Sequence, residues 1–140
     1  MRAVVDTNLL VSGLLWGRNP GQLVAAAQAG TLRLCSSEFL LAELGRVLGR
    51  AKFGARLTAR GVTADAVLAS ARSICEIFDR PAMPMPPDLR DPNDLAVLAC
   101  AVSAEVDVII TGDKDLLALN PFEGIPIITV ADALKRLELS

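Results

Sequence analysis

Short apolar segments alternate with longer segments of helical spacing along this chain of 140 residues. The pattern predicts strands over 2–5, 32–35, 108–111 and 125–129, and helices over 9–15, 20–29, 36–48, 63–78, 93–104 and 131–137, with a proline-rich connector over 81–92. Strands this short and apolar are typical of a parallel sheet that is covered on both faces. The sequence therefore predicts an α/β fold with a central parallel sheet, and its length predicts a single domain over residues 1–140.

Acidic residues follow two of the predicted strands directly. Asp6 comes after the first strand and Asp113 after the strand over 108–111. The carboxyl ends of parallel strands form the usual site of an open α/β sheet, so these two side chains should lie close together. Glu43 and Asp94 are on predicted helices that can face the same crevice. We therefore expect four carboxylates to converge.

Each of these acids also has a purely local interpretation. Asp6 can cap the first helix, Asp94 can cap the helix that it opens, and Asp113 suits a tight Gly-Asp turn. Glu43 can pair with Arg46 or Arg50 on its own helix. It is the joint placement of the four acids that favours a shared site.

The residue types restrict the chemistry of such a site. The chain has no histidine, which excludes a Ser-His-Asp triad, and its three cysteines include no closely spaced pair for zinc. Clustered carboxylates raise one another's pKa, and a divalent cation relieves that repulsion. Because Mg²⁺ and Mn²⁺ prefer oxygen ligands, the sequence predicts one of these ions as the cofactor.

A basic strip precedes the acidic half of the chain. Between residues 46 and 60 there are five cations and no acid, although the formal net charge of the chain is -2. The cations are Arg46, Arg50, Lys52, Arg56 and Arg60. The strip is a candidate for binding RNA phosphates, and a solvated helix face is the alternative.

No apolar run approaches the length of a membrane span, and the N-terminus lacks the apolar region of an export signal. We therefore expect a cytoplasmic protein without a membrane segment. Apolar residues over 9–16 or 67–78 could form a homodimer surface or fill the core equally well.

Four motifs resemble those of the PIN-domain family, in particular its branch of toxin components of toxin–antitoxin systems, and they occur in the same order. They are VVDTNLLVS at 4–12, LLAEL at 40–44 followed by RVL at 46–48, DPND at 91–94, and TGDKDLL at 111–117.

This resemblance implies a three-layer α/β/α sandwich and a Mg²⁺- or Mn²⁺-dependent endoribonuclease that hydrolyses RNA phosphodiester bonds. It also implies homodimers and inhibition by an antitoxin. The resemblance assigns residues to three roles: Asp6, Glu43, Asp94 and Asp113 as catalytic metal ligands, Asp115 as a further metal-binding acid, and Asn8 and Thr111 as hydrogen-bonding groups behind the ligands. The basic strip supplies the candidate RNA-binding residues, which are Arg46, Arg50, Lys52 and Arg56. Asn93 stands where relatives often carry a carboxylate, so Asp91 is an alternative to Asp94.

Two other functions fit the same residues. A binding module without catalysis would use the acidic pocket to receive a cationic side chain of an antitoxin. A phosphotransferase would form an aspartyl-phosphate on Asp6, but such sites usually place a second acid two residues later, where this chain has Asn8. RNA cleavage in the presence of Mn²⁺ would distinguish the nuclease from both.

Overall fold

Five short parallel strands form one sheet in the computed structural model, which describes residues 1–78, 89 and 91–138. The strands are β1 Arg2–Val5, β2 Arg33–Ser36, β3 Cys75–Ile77, β4 Val108–Ile110 and β5 Ile127–Ile128. Their order across the sheet is β3-β2-β1-β4-β5. The chain therefore reverses its direction of winding beside β1, and the carboxyl ends of β1 and β4 are neighbours.

Eight α-helices and one 3₁₀ turn connect and cover the strands in the described residues. They are α1 Thr7–Leu15, α2 Arg18–Gln28, α3 Glu38–Leu48, the 3₁₀ turn Ala51–Phe53, α4 Gly54–Arg60, α5 Ala64–Ser73, α6 Pro92–Ala104, α7 Lys114–Leu117 and α8 Val130–Glu138. In the part of the chain that the structure describes, no helix is both long and apolar enough to cross a membrane.

Alternation along the strands produces two separate cores, one on each face of the sheet. Ala3 of β1 packs with helices α1, α2, α3, α5 and α8. The next residue, Val4, points to the opposite face and packs against α6 and α7. Successive side chains of a strand point to opposite faces, so a strand that is apolar throughout must be covered twice. The predicted α/β/α sandwich with a central parallel sheet is confirmed.

The prediction of one helix over 63–78 is wrong for its C-terminal part. Helix α5 ends at Ser73, and β3 follows, paired in parallel with β2. Arg2 of β1 and Arg33 of β2 both donate to the Glu76 carboxylate, which fixes β3 at the edge of the sheet. A short apolar run with helical spacing can also form a strand when a sheet edge offers it backbone partners.

Other differences are smaller. The helical segments over 51–60 were not predicted, and β5 occupies only two of the five residues expected over 125–129. Most of the proline-rich connector predicted over 81–92 lies outside the described residues. Its last residues are described: Asp91 caps α6 and Pro92 is the first residue of that helix, as its fixed φ angle favours.

Candidate active site

Four aspartates line one cavity of about 330 Å³ beyond the carboxyl ends of β1 and β4, which we call the acidic cavity. These four are Asp6, Asp91, Asp94 and Asp113. The remaining lining residues are Thr7, Asn8, Leu9, Ser12, Asn93 and Gly112. Three acids proposed from the sequence thus meet here, together with Asp91, the alternative to Asp94.

Asp6 is held by hydrogen bonds from both sides of the cavity. Its Oδ1 accepts from the Leu9 amide at 2.9 Å, so Asp6 is the N-cap of α1, as its local interpretation predicts. Its Oδ2 accepts from the buried Thr111 hydroxyl and from the Gly112 amide at 3.3 Å. The Asp6 carboxylate therefore joins the end of β1 to the end of β4.

Asp91 and Asp113 are also helix caps. Asp91 Oδ1 accepts from the Asn93 amide at 2.9 Å at the start of α6, and Asp113 Oδ1 accepts from the Asp115 amide at 2.7 Å at the start of α7. The Thr111 hydroxyl oxygen in turn accepts from the Asp113 amide at 3.0 Å. These bonds fix the carboxylates at the edge of the acidic cavity.

Asp94 differs from the other three because it is inside the first turn of α6 and is only 8% exposed. None of the hydrogen bonds among the described residues involves its carboxylate. Burial, followed by the negative charges of Asp113, Asp91, Asp6 and Asp115, raises the pKa of Asp94 to about 7. Ionised Asp94 is therefore electrostatically unstable in the absence of a nearby cation.

Glu43 lies in an adjoining cavity rather than in the acidic cavity. This Glu43 cavity is also about 330 Å³ and contains Arg46 and Arg50, and the two cavities share the side chains of Thr7, Asn8, Asp91 and Asn93. Arg46 Nε donates to Glu43 Oε2 at 3.1 Å. The local pairing of Glu43 with Arg46 is thus present, at a position that borders the aspartates.

Asn93 stands between the two cavities with an unusual hydrogen-bonding state. Its Nδ2 lies 3.4 Å from the Thr7 hydroxyl oxygen, whereas its Oδ1 is buried and has no hydrogen-bond partner among the described residues. Buried oxygens without a partner are rare in folded proteins. The sequence indicated only that Asn93 replaces a carboxylate. Its amide oxygen, like a carboxylate oxygen, can serve as a metal ligand.

Two further predicted residues have peripheral positions. Asp115 is exposed and does not line the acidic cavity, but its charge contributes to the raised pKa of Asp94. Asn8 is exposed and lines both cavities. Sequence reasoning missed Ser12, one helical turn after Asn8 on α1, although the i,i+4 spacing of two polar residues in an apolar helix is a usable signal.

The donor atoms around the acidic cavity suit a hard cation. They are carboxylate oxygens and one unpartnered amide oxygen, the ligand types that Mg²⁺ and Mn²⁺ prefer. Over residues 1–78, 89 and 91–138, no three acidic, histidine or cysteine side chains are yet close enough to hold an ion as they stand. The residues of the acidic cavity therefore fit such an ion in two respects: they offer oxygen ligands, and their negative charges repel one another unless a cation is bound.

The predicted RNA-binding cations divide into two groups. Arg46 and Arg50 line the Glu43 cavity. Lys52 and Arg56 instead lie at the far end of α1, where Arg56 Nε donates to the Leu15 carbonyl oxygen at 2.7 Å. The basic strip therefore does not form one continuous face around the carboxylates.

Comparison with known proteins agrees with this architecture. The family model of the PIN domain matches residues 2–115. The structure of VapBC2 from Rickettsia felis bound to a DNA fragment from its promoter is similar, with a TM-score of 0.61 and 16% identity over 92% of this chain and 98% of that one. The structure of PAE2754 from Pyrobaculum aerophilum has a TM-score of 0.60 and 20% identity over 100% of this chain and 97% of that one. No curated protein sequence matches the chain at a significant level. Since the family model covers most of the chain, the protein belongs to the PIN domain family.

Proposed function

We propose that this protein is a Mg²⁺- or Mn²⁺-dependent endoribonuclease and the toxin of a toxin–antitoxin pair. The observation that carries the proposal is the acidic cavity, which Asp6, Asp94 and Asp113 line together. Ionised Asp94 is buried among these charges and gains no hydrogen bond from the described residues, so a bound cation is the physical reason that fits its position. Membership of the PIN domain family supports the same function.

In this proposal each aspartate has a defined task. Asp6 is the most strongly fixed ligand, because Leu9, Thr111 and Gly112 all donate to it. Asp94 carries the negative charge that most needs a cation. Asp113 keeps one carboxylate oxygen outside its helix-cap bond, and Asn93 offers its unpartnered amide oxygen as a ligand or as an acceptor from water.

Asp6, Asp94 and Asp113 would hold the ion, which when bound would acidify water as the nucleophile and place positive charge beside the scissile phosphodiester. Arg46 and Arg50 would hold the RNA backbone next to the reacting phosphate, since the Glu43 cavity adjoins the acidic cavity. Arg50 makes no ion pair with any described residue, so its charge is available to a phosphate. Hydrolysis by water would leave a 5′-phosphate and a 3′-hydroxyl end.

RNA cleavage by the purified chain tests the proposal. We expect Mn²⁺-dependent cleavage of a labelled single-stranded RNA, abolished by excess EDTA and reduced at least 100-fold by Asp6→Asn. Asp65→Asn is the matched control, because Asp65 is an exposed acid in the first turn of α5. Cleavage that persists in EDTA, or that Asp6→Asn leaves at full rate, would exclude this mechanism.

The antitoxin partner, the homodimer and the cytoplasmic location follow from the toxin assignment and are part of the proposal. Co-expression with the neighbouring reading frame, followed by affinity purification and an RNA cleavage assay, tests the partner. A co-purified protein that suppresses cleavage supports an inhibited enzyme. If a protein co-purifies but this chain does not cleave RNA even without that partner, the result supports a binding module without catalysis.

A further inference from the structure

An aromatic and cationic patch lies at the end of α1 that is remote from the acidic cavity. We define the Trp16 patch as Trp16, Lys52, Phe53 and Arg56. Trp16 is 43% exposed, and its ring meets that of Phe53 edge to face with 5.7 Å between the ring centres. The Arg56 guanidinium lies 5.7 Å from the centre of the Trp16 ring, and Lys52 Nζ lies 5.1 Å from the centre of the Phe53 ring.

The patch is preformed because hydrogen bonds from arginine side chains to a backbone carbonyl hold it in place. Arg56 and Arg60 both donate to the Leu15 carbonyl oxygen, at 2.7 and 3.1 Å. That carbonyl belongs to the last turn of α1, where cations are favourable because the carbonyl groups lack helical partners. Arg56 is thus fixed beside Trp16 before any ligand arrives, which lowers the entropic cost of binding.

The charge around the patch indicates an anionic ligand. Residues 44–64 contain five cations and no acid, and four of these cations come after Leu48, the end of α3. An exposed indole that is flanked by cations offers a stacking surface and phosphate contacts together. Single-stranded nucleic acid has both features, since every base has an aromatic face and every nucleotide a negative charge.

The distance between patch and cavity matches a bound RNA strand. Asp6 is the N-cap of α1 and Trp16 is its C-cap, so ten helical steps separate their Cα atoms by about 15 Å along the helix axis. That distance corresponds to about four stacked nucleotides at 3.4 Å each. Arg50 lines the Glu43 cavity and is also the N-cap of the 3₁₀ turn that carries Lys52 and Phe53, so one cation lies along the chain between the two regions.

We propose that the Trp16 patch binds the RNA substrate about four nucleotides from the scissile phosphodiester. A base stacks on Trp16, and Arg56 and Lys52 contact the adjacent phosphates. The inference rests on the proposed ribonuclease function and extends it to a single-stranded substrate of a minimum length. RNAs shorter than about four nucleotides should bind weakly, because they cannot reach both regions.

Intrinsic fluorescence provides a specific test, since Trp16 is the only tryptophan and the chain has no tyrosine. In EDTA, which prevents cleavage, we expect an unstructured 12-nucleotide RNA to quench Trp16 emission saturably. A dinucleotide should quench it only at much higher concentration. Binding of labelled RNA, followed by anisotropy, should weaken about tenfold for Trp16→Ala and much less for Trp16→Phe, which keeps a ring for stacking.

Val102→Ala is the matched control, because Val102 is an exposed apolar residue on α6. The thermal midpoint of each variant separates a loss of stacking from a loss of folding. If folded Trp16→Ala binds RNA with wild-type affinity while the protein cleaves RNA in Mn²⁺, the patch proposal is overturned and the ribonuclease proposal stands. If Trp16 emission changes with protein concentration and not with RNA concentration, the patch is a contact between copies of the chain. That result would also overturn the patch proposal. Absence of both RNA binding and cleavage would remove both proposals.

Discussion

Asp94→Asn should make the protein more stable and less active. The raised pKa of Asp94 means that its ionised form opposes folding at neutral pH and above. Raising a carboxyl pKa from 3.8 to about 7 corresponds to ~4 kcal/mol for the ionised form, an upper limit since the carboxylate faces a cavity open to salt. We therefore expect Asp94→Asn to increase the free energy of unfolding by about 1–2 kcal/mol at pH 8, and the thermal midpoint by about 3–8 °C.

The pH dependence follows from the same pKa. Below pH 3.8 the carboxyl is protonated in both the folded and the unfolded chain, so it costs nothing. As the pH rises to about 7 the unfolded chain loses this proton first, and wild type loses stability relative to Asp94→Asn. Above about pH 7 the difference should be constant.

Thermal unfolding from pH 4 to 9 in EDTA measures this difference, and added Mn²⁺ provides the complementary test. A cation that binds the folded state at 100 times its Kd stabilises it by about 2.7 kcal/mol, so Mn²⁺ should raise the midpoint of wild type and have much less effect on Asp94→Asn. Asp65→Asn should follow wild type throughout. The reasoning is refuted if Asp94→Asn is less stable than wild type at pH 8 in EDTA, or if the difference between them is independent of pH.

Three further substitutions test other contacts. Thr111→Val removes the buried hydroxyl that donates to Asp6 and accepts from the Asp113 amide. Calorimetry should show that the free energy of unfolding falls by about 1–3 kcal/mol and that Mn²⁺ binds more weakly, whereas the exposed Thr58→Val should change neither. Unchanged Mn²⁺ affinity in Thr111→Val would contradict this role. Arg46→Gln should weaken RNA binding and reduce its salt dependence, unlike Arg72→Gln, which removes a surface pair with Glu38; equal effects would argue against the Glu43 cavity as a phosphate site. Gly13→Ala places a Cβ 2.7 Å from the Pro20 carbonyl oxygen and should destabilise the protein by about 1–3 kcal/mol in urea unfolding, whereas Gly21→Ala meets only an ordinary contact of 3.6 Å and should not.

The part of the site that follows strand ends could be predicted from the sequence. Asp6 and Asp113 come after apolar strands, and the geometry of a parallel sheet brings such residues together. The position of Glu43 could not be predicted in the same way. Successive residues on a helix are rotated by 100°, and Glu43 lies at the edge of the apolar stripe of α3. The packing of α3 against α1, rather than the local sequence pattern, therefore decides which cavity Glu43 lines.

Strand β3 was missed for a related reason. The residues after Ser73 have apolar spacing that suits a helix, and only the backbone of β2 and the arginines of β1 and β2 favour an extended conformation. The split of the basic strip has a similar origin, because a turn over 51–53 redirects the chain between Arg50 and Arg56. Such outcomes depend on contacts between residues far apart in the chain, which a local pattern does not contain.

The local and the functional interpretations of the aspartates are compatible, because they use different oxygens. Asp91 and Asp113 each accept a capping bond on Oδ1, and none of the hydrogen bonds among the described residues uses their Oδ2. The positive ends of α1 and α6 also favour negative charge at the helix starts, so the caps gather acids at little cost to the fold. Asp94 gains no such bond and bears the remaining repulsion. The electrostatic cost of the site is therefore concentrated on the one carboxylate whose neutralisation by a cation would return the most stability.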